Sequence, residues 1–375
     1  MGELVTWAYP AIFLVAGMLS WLLVPVAMKV AIQRDFVDRP GGYKSQESPV
    51  PYLGGVAIVV SFAAVVLAAA ILRPPISGLD ELVVILGTAV LLSLMGLIDD
   101  LRGLGPFLRL AVVAAATGLL IFTDISVRLV DSGGPVDIAI TILWVAGITN
   151  AFNLLDNMDG LSAGIGTIAS ISLFVIAVFN GQFLVAALSA ALAGCAIGFL
   201  RHNFHPARVY MGDAGSLFIG FVLAVLALKL RFDAPRQITA FVPIVVLGLP
   251  ILDTTLVTIT RLRHGRNPLS GGRDHLSHRL VFIGLSVPHA VKSLYGVAIA
   301  LGWVGLIVSR LDVGTAYLVL GLVGAVLVTA GFLLGRVPVY SNSIQRKIVL
   351  QSVEKTDADY AHEHQTAGMA STDGS

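Results

Sequence analysis

Three short stretches of this sequence place oxygen-bearing side chains where they could act together. Asp99 and Asp100 are adjacent at the close of an apolar run. Asn153, Asp156 and Asp159 recur at every third position at the close of another, and Asp213 opens a third, between Gly212 and Gly215-Ser216. Neighbouring helical residues point about 100° apart, so Asp99 and Asp100 reach one place only if their helix ends there. The i, i+3, i+6 spacing keeps Asn153, Asp156 and Asp159 on one helical stripe, or along the edge where the helix unwinds at Gly160. Each stretch also has a plainer reading: a polar terminus, an Asx-rich helix stop and an N-cap at Asp213. A stop needs one such residue rather than three. Carboxylates this close to apolar segments are costly unless a cation or a proton neutralises them. A helix N-terminus keeps a carboxylate ionised, which suits a hard cation. Gly212 and Gly215 would let the backbone approach a phosphate.

Basic residues accompany the acids. Arg109, Arg208, Arg261, Arg263, Arg266, Arg273 and Arg279 recur near them, as do His275 and His278. For most of these arginines, setting the orientation in a membrane is a sufficient account. The segment Asp274 to Arg279 is different, because His at i and i+3 with a flanking Arg can clamp a diphosphate. A zinc pair at His275 and His278 lacks a third His or Cys ligand. Asp253, inside an apolar run, is expected to be satisfied by neighbouring helices and is assigned no role. Oxygen ligands beside phosphate-directed cations describe phosphate chemistry assisted by Mg²⁺, with Mn²⁺ as the alternative ion. No P-loop is present, so ATP is not indicated.

The composition identifies the scaffold that must position these groups. Charged residues make up 13% of the 375, hydrophobic residues 56%, and the mean hydropathy is +0.88. Soluble domains carry about 25% charge, so this chain cannot coat a soluble core, and a water-soluble enzyme, a nucleic-acid binder and a disordered scaffold are excluded. A crossing helix takes about 20 apolar residues. Eleven runs qualify, near 8–30, 52–72, 80–98, 107–123, 137–155, 162–180, 182–200, 213–230, 238–260, 289–309 and 315–335. The predicted fold is therefore all-α and integral to the membrane, a bundle of about 11 transmembrane helices over residues 1–335. Residues 336–375 read as a polar, disordered tail, in which His362 and His364 could hold a metal only weakly. No repeat divides the chain, and Cys195 reads as a small buried hydrophobe.

Basic residues follow the first run rather than precede it, which predicts an outside N-terminus and no cleaved signal peptide. With alternating spans, eighteen of the 24 Lys and Arg fall on the inner side and six on the outer. The C-terminus is then cytoplasmic. Every cluster described above, together with the first inner loop from Asp38 to Gly55, lies at the cytoplasmic face of the cell (inner) membrane. One-sided clustering from separated segments predicts a single site, and at least one substrate that lives in the bilayer.

On these residues the chain resembles the polyprenyl-phosphate N-acetylhexosamine-1-phosphate transferases. The likeness runs in order from about Asp38 to Tyr295. It comprises K-x-x-x-x-P-x-P-x-x-G-G (Lys44 to Gly55), G-x-x-D-D-x-x-x-L (Gly96 to Leu104) and N-A-F-N-L-L-D-N-M-D-G-L (Asn150 to Leu161). It continues with N-x-x-P-A-x-x-x-M-G-D-x-G-S (Asn203 to Ser216) and D-H-x-x-H-R-L (Asp274 to Leu280). The resemblance implies that polyprenyl phosphate attacks the sugar-linked phosphate of a UDP-N-acetylhexosamine, releasing UMP and leaving a lipid-diphospho-sugar that primes cell-wall or surface glycans. It implies that Asp213 and Asn153 bind the metal, that Asp99 and Asp100 handle the lipid phosphate, and that Asp156 and Asp159 organise the site. Lys44 and Arg109 would contact phosphate, with Arg109 standing where Lys is common. His275, His278 and Arg279 would close on the nucleotide sugar, and Asn203 matches the Asn of the fourth motif.

The sequence departs from the family pattern at four positions. Tyr43 and Gln46 replace Arg and His of the first motif, Ser277 replaces the middle His of the last, and Asn157 stands where Gly is usual. The pattern looks most like the branch that uses UDP-N-acetylglucosamine. The peptidoglycan branch, which takes UDP-MurNAc-pentapeptide, has T-P-T-M-G-G in place of Pro49–Gly55. The expected partners are the UDP-sugar, the polyprenyl phosphate and the bilayer, with a homodimer open and no nucleic acid. The rival of another class is a cation-coupled secondary transporter, which would place its acids near the midplane of repeated halves.

Overall fold

The structure, a computed structural model, describes residues 7–39, 49–73, 78–130, 133–231 and 236–340. Each apolar run is helical, because a segment in hydrocarbon must satisfy its backbone N–H and C=O groups internally. The helices are α1 (Ala8–Gln33), α2 (Gly54–Leu72), α3 (Leu79–Arg102), α4 (Pro106–Phe122), α5 (Pro135–Leu155), α6 (Leu161–Phe179), α7 (Phe183–Asn203) and α8 (Gly212–Lys229). They continue with α9 (Arg236–Val246), α10 (Gly248–Arg263), the short α11 (Leu276–Phe282), α12 (Val287–Val308) and α13 (Val313–Gly335). Pro106 and Pro135 open α4 and α5, where a missing N–H costs nothing. Two-residue strands β1 (Val37–Asp38) and β2 (Val50–Pro51) pair antiparallel. The Tyr210 amide donates to Pro51 O at 2.8 Å, so this ribbon is stitched to the segment that enters α8.

Among the described residues, nine helices are long and apolar enough to cross a membrane, and the bent pair α9–α10 makes a tenth. The helix α4 is apolar but has 17 residues, about 25 Å at 1.5 Å per residue. The run at 238–260, expected as one straight span, turns by 74° at Leu247. Pro250 is the physical reason: it has no N–H for the carbonyl of Val246, and its ring crowds that carbonyl.

The centre of the bundle is α8, in which every residue from Ala214 to Ala227 is buried. It packs chiefly against α3 and α5, with α2, α6 and α7 also touching it. At the rim, α13 buries only Ala316 and Gly331 and exposes Leu318, Leu322, Val326 and Val328, as a lipid-facing helix does. Cys195 is free and fully buried, as its sequence context suggests. In the segment expected to be a disordered tail, residues 336–340 are described and pack against the bundle, while 341–375, with His362 and His364, lie outside the described residues.

Candidate active site

The ends of α3, α5 and α7 and the beginnings of α4, α6 and α8 meet at one end of the bundle. There Arg109, in the first turn of α4, donates through Nη1 to Asp213 Oδ2 at 2.6 Å and to Asn153 Oδ1 at 2.7 Å. Asn153 Nδ2 in turn donates to Asp213 Oδ1 at 2.7 Å and to Ser216 Oγ at 3.1 Å. Asp99 stands 3.7 Å from the same Arg109 nitrogen and accepts the Leu104 amide at 2.6 Å. Arg109 Nε is buried with no partner.

Asp100 has a different task. Its two oxygens accept the Asp213 and Ala214 amides at 2.9 and 3.2 Å, which caps α8 from outside. The expected N-cap role of Asp213 is thus corrected: helix α8 begins one residue earlier, at Gly212, and Asp100 supplies the capping oxygens. Gly212 has φ +68°, and a Cβ there would lie 2.5 Å from Asp100 Oδ2. A Cβ on Gly215 would meet Gly55 Cα at 2.7 Å. These two glycines admit a carboxylate and a neighbouring helix, where the sequence suggested room for a phosphate.

Helix α5 ends at Leu155, so Asp156 to Gly160 form a loop and the expected helical stripe stops earlier than Gly160. Other segments hold this loop. Asn203 Oδ1 accepts the Gly160 amide at 3.0 Å, and the Tyr295 hydroxyl donates to the Gly160 carbonyl. Asp159 Oδ2 accepts the Ala207 amide at 3.0 Å and shares a 2.9 Å hydrogen bond with His205. Asn157 Nδ2 donates to Leu154 O at 2.7 Å, and Asn157 Oδ1 accepts the Ser277 hydroxyl at 2.6 Å. Asp156 is half-buried, and its amide donates to Asn153 O at 3.3 Å, but its carboxyl has no hydrogen bond or ion pair among the described residues. Burial, and then the carboxylates of Asp213, Asp100 and Asp159, push its carboxyl up to about 8.

The histidine segment faces this loop. Asp253 of α10 accepts the Leu276 amide at 2.6 Å and shares a 2.7 Å hydrogen bond with His275 Nδ1. Its partners come from the short helix α11 rather than from membrane helices, which corrects the absence of a role. Arg261 and Asp274, each about 1% exposed, form a bidentate pair at 2.7 and 2.8 Å. Arg261 is therefore a buried structural cation and not a membrane-surface charge. The Tyr340 hydroxyl, just beyond α13, donates to Asp274 Oδ2 at 2.6 Å. Burial pushes the Asp274 carboxyl up, but the Arg261 and Tyr340 hydrogen bonds prevail and hold it below the usual range.

Two of the residues expected to bind substrate are engaged within the chain. Arg279 is fully buried, and its donors go to Asp274 O, Leu334 O, Val337 O and Thr260 Oγ1, so it ties the segment to the end of α13. Asn203 is 3% exposed, and its amide is taken up by Gly160 N and Val209 O, so it braces the acidic loop. His278 is held at about 4 by burial, His275 and Arg273, so near neutral pH it is an uncharged imidazole. Lys44 lies outside the described residues, with Tyr43 and Gln46. The sequence alone assigned no role to Asp253, Asp274, Tyr295 or Tyr340. Asp253 carried a signal as an ionisable residue inside an apolar run, and Asp274 as the first residue of the last motif.

The donor set around Asp213 fits a hard divalent cation. Asn153 Oδ1 and Asp213 Oδ2 already share one positive donor, Arg109 Nη1, and the Asp156 carboxyl, close enough to feel the Asp213 charge, has no side-chain partner among the described residues. Among the described residues no three His, Cys, Asp or Glu converge as a metal cluster. A bound ion would therefore use one or two carboxylates together with substrate phosphate oxygens, the usual manner of Mg²⁺.

Residues 82–231 match the sequence profile of glycosyl transferase family 4. A probable undecaprenyl-phosphate N-acetylglucosaminyl 1-phosphate transferase of Bacillus subtilis is 31% identical over 76% of this chain and 80% of its own length. The chain belongs to the polyprenyl-phosphate N-acetylhexosamine-1-phosphate transferases. A decaprenyl-phosphate N-acetylglucosaminephosphotransferase of Mycolicibacterium smegmatis is 32% identical over 87% of this chain and 88% of its own. An undecaprenyl-phosphate alpha-N-acetylglucosaminyl 1-phosphate transferase of Yersinia pestis is 28% identical over 76% and 80%. The part of this transferase that matches the profile carries the acids, Arg109 and Asn203. The histidine segment lies beyond it.

Proposed function

We propose that this transferase moves N-acetylglucosamine-1-phosphate from UDP-N-acetylglucosamine to polyprenyl phosphate at the cytoplasmic face of the cell membrane. A phosphate oxygen of the lipid attacks the sugar-linked phosphorus. The bond from that phosphorus to UMP breaks, UMP departs with the bonding electrons, and a lipid-diphospho-sugar remains. The observation that carries this reading is the arrangement of Asp156, Asp213, Asn153 and Arg109 at the helix ends. It is an acid cluster with one internal cation, placed where a bilayer-bound phosphate and a soluble nucleotide can meet. The names of the relatives favour N-acetylglucosamine over the peptidoglycan substrate.

The residues divide the work. Arg109 holds Asn153 and Asp213 in register and places positive charge beside the incoming phosphates. Asp100 fixes the start of α8, and with it the direction of Asp213. Asp156, with its raised affinity for a proton, is the group best suited to exchange one with substrate near neutral pH. Asp253 holds His275 in one ring orientation, leaving Nε2 for the nucleotide sugar. A Mg²⁺ ion held by Asp213 and Asn153 would supply neutralisation of the diphosphate charge.

The reading is tested on purified protein in lipid with UDP-N-acetylglucosamine, polyprenyl phosphate and Mg²⁺. UMP release and a lipid-linked N-acetylglucosamine product are expected, both lost on chelation. Absence of both products, with other UDP-N-acetylhexosamines failing as well, would sink it.

A further inference from the structure

Two of the four departures from the family pattern touch each other. Asn157 stands where the family has Gly, and Ser277 stands where it has His, 120 residues apart in sequence. In the fold the Ser277 hydroxyl donates to Asn157 Oδ1 at 2.6 Å, and Asn157 Nδ2 donates onward to Leu154 O at 2.7 Å, the last turn of α5. Ser277 is 1% exposed, so this contact is shielded from water. Among the described residues it is the one side-chain hydrogen bond between α11 and the acidic loop, and it lies one residue from Asp156 and one from His278.

We propose that Asn157 and Ser277 form a paired latch that docks the histidine segment on the acidic loop and so positions His278 and Asp156 for the nucleotide sugar. The inference rests on the transferase reading of this site. It accounts for both substitutions together. A His at 277 is larger than Ser and would enter the space that the Asn157 side chain fills, whereas a Gly at 157 leaves that space open. Asn with Ser, or Gly with His, fills one gap, and the mixed pairs do not. The hydroxyl proton of Ser277 is directed at Asn157, so the oxygen can only accept from His278, whose Nδ1 lies 3.4 Å away. That favours the tautomer protonated at Nδ1 and leaves Nε2 as an acceptor. Asn157 and Ser277 are positioning residues on this account.

The test is an exchange toward the family pattern, with Asn157→Gly, Ser277→His and the double variant assayed beside the parental enzyme. Each single variant is expected to lower kcat/KM for UDP-N-acetylglucosamine about tenfold or more, with KM for polyprenyl phosphate little changed. The double variant is expected to recover to within about threefold of the parental value. Thermal unfolding of the same four proteins reads the contact without catalysis, and should show the singles lowered and the double restored. A double variant no better than the product of the two singles, in kinetics and in thermal midpoint, overturns the latch. Recovery of the midpoint without recovery of kcat/KM overturns the positioning role. If the parental protein makes no N-acetylglucosamine product, the proposed reaction fails, while the midpoints still decide whether the two residues are coupled.

Discussion

The two halves of the site treat charge in opposite ways. In the histidine half, Arg261, Asp274 and Arg279 are buried, and each is matched by a partner from the chain itself: a carboxylate, a hydroxyl or a carbonyl. In the acidic half, Asp213 and Asp99 stand by Arg109, Asp100 caps α8, and Asp159 is held by His205 and the Ala207 amide. The Asp156 carboxyl has no partner among the described residues and is raised to about 8. The histidine half is a finished framework, whereas the acidic half has an excess of carboxyl groups over its one arginine, which on the proposed reading a bound cation would offset before substrate phosphates arrive. The positions that resemblance to a family marks alike, such as Asp213 and Arg279, can therefore do unlike work.

This contrast can be broken most sharply at Asp213. Asp213→Ala should lower turnover by about 10⁴-fold, on the order of 5 kcal/mol at 1.36 kcal/mol per decade, and weaken the dependence on Mg²⁺ in the transfer assay. In the other half, Arg261→Ala should act through stability. It strands buried Asp274 and should cost about 3–5 kcal/mol in a reversible unfolding assay.

Asp156→Asn should separate stability from activity. The folded carboxyl keeps its proton up to about pH 8, while an unfolded one releases it near 3.9. The parental protein therefore loses stability as pH rises through that window. The variant, free of that loss, should be the more stable of the two at pH 8 without Mg²⁺. The gain should vanish near pH 4, and transfer should be slow throughout. The smallest effect is expected at Asp253. Asp253→Asn keeps one acceptor for the Leu276 amide and loses the carboxylate oxygen that shares a hydrogen bond with His275 Nδ1, so kcat should fall about tenfold with the thermal midpoint nearly unchanged.

The same contrast explains what was legible in the sequence. Apolar runs fix helices in hydrocarbon because no other structure satisfies the backbone, so α1 to α8 lie close to their expected bounds. Pro250 sits in a run whose hydropathy is unbroken, and hydropathy carries no information about a missing N–H. The acids of the site were visible by residue type, since a carboxylate in apolar surroundings stands out. Their partners were not. Nothing local tells Asp100 that it will cap α8 at Asp213 and Ala214, or Asp274 that Arg261 and Tyr340 will close on it. Arg279 and Asn203 have the right type for phosphate and sugar, and only three-dimensional contacts reveal that their hydrogen-bonding groups are already occupied.

The central claim is the proposal that the acidic half, through Asp213, takes up a divalent cation with substrate and that the histidine half does not. The most direct test is the thermal midpoint of the purified protein with UDP-N-acetylglucosamine, measured with Mg²⁺ and with chelator. Mg²⁺ should raise the midpoint of the parental protein and of Asp253→Asn, and leave that of Asp213→Ala unmoved. An equal rise in all three proteins, or none in the parental protein, would contradict the account.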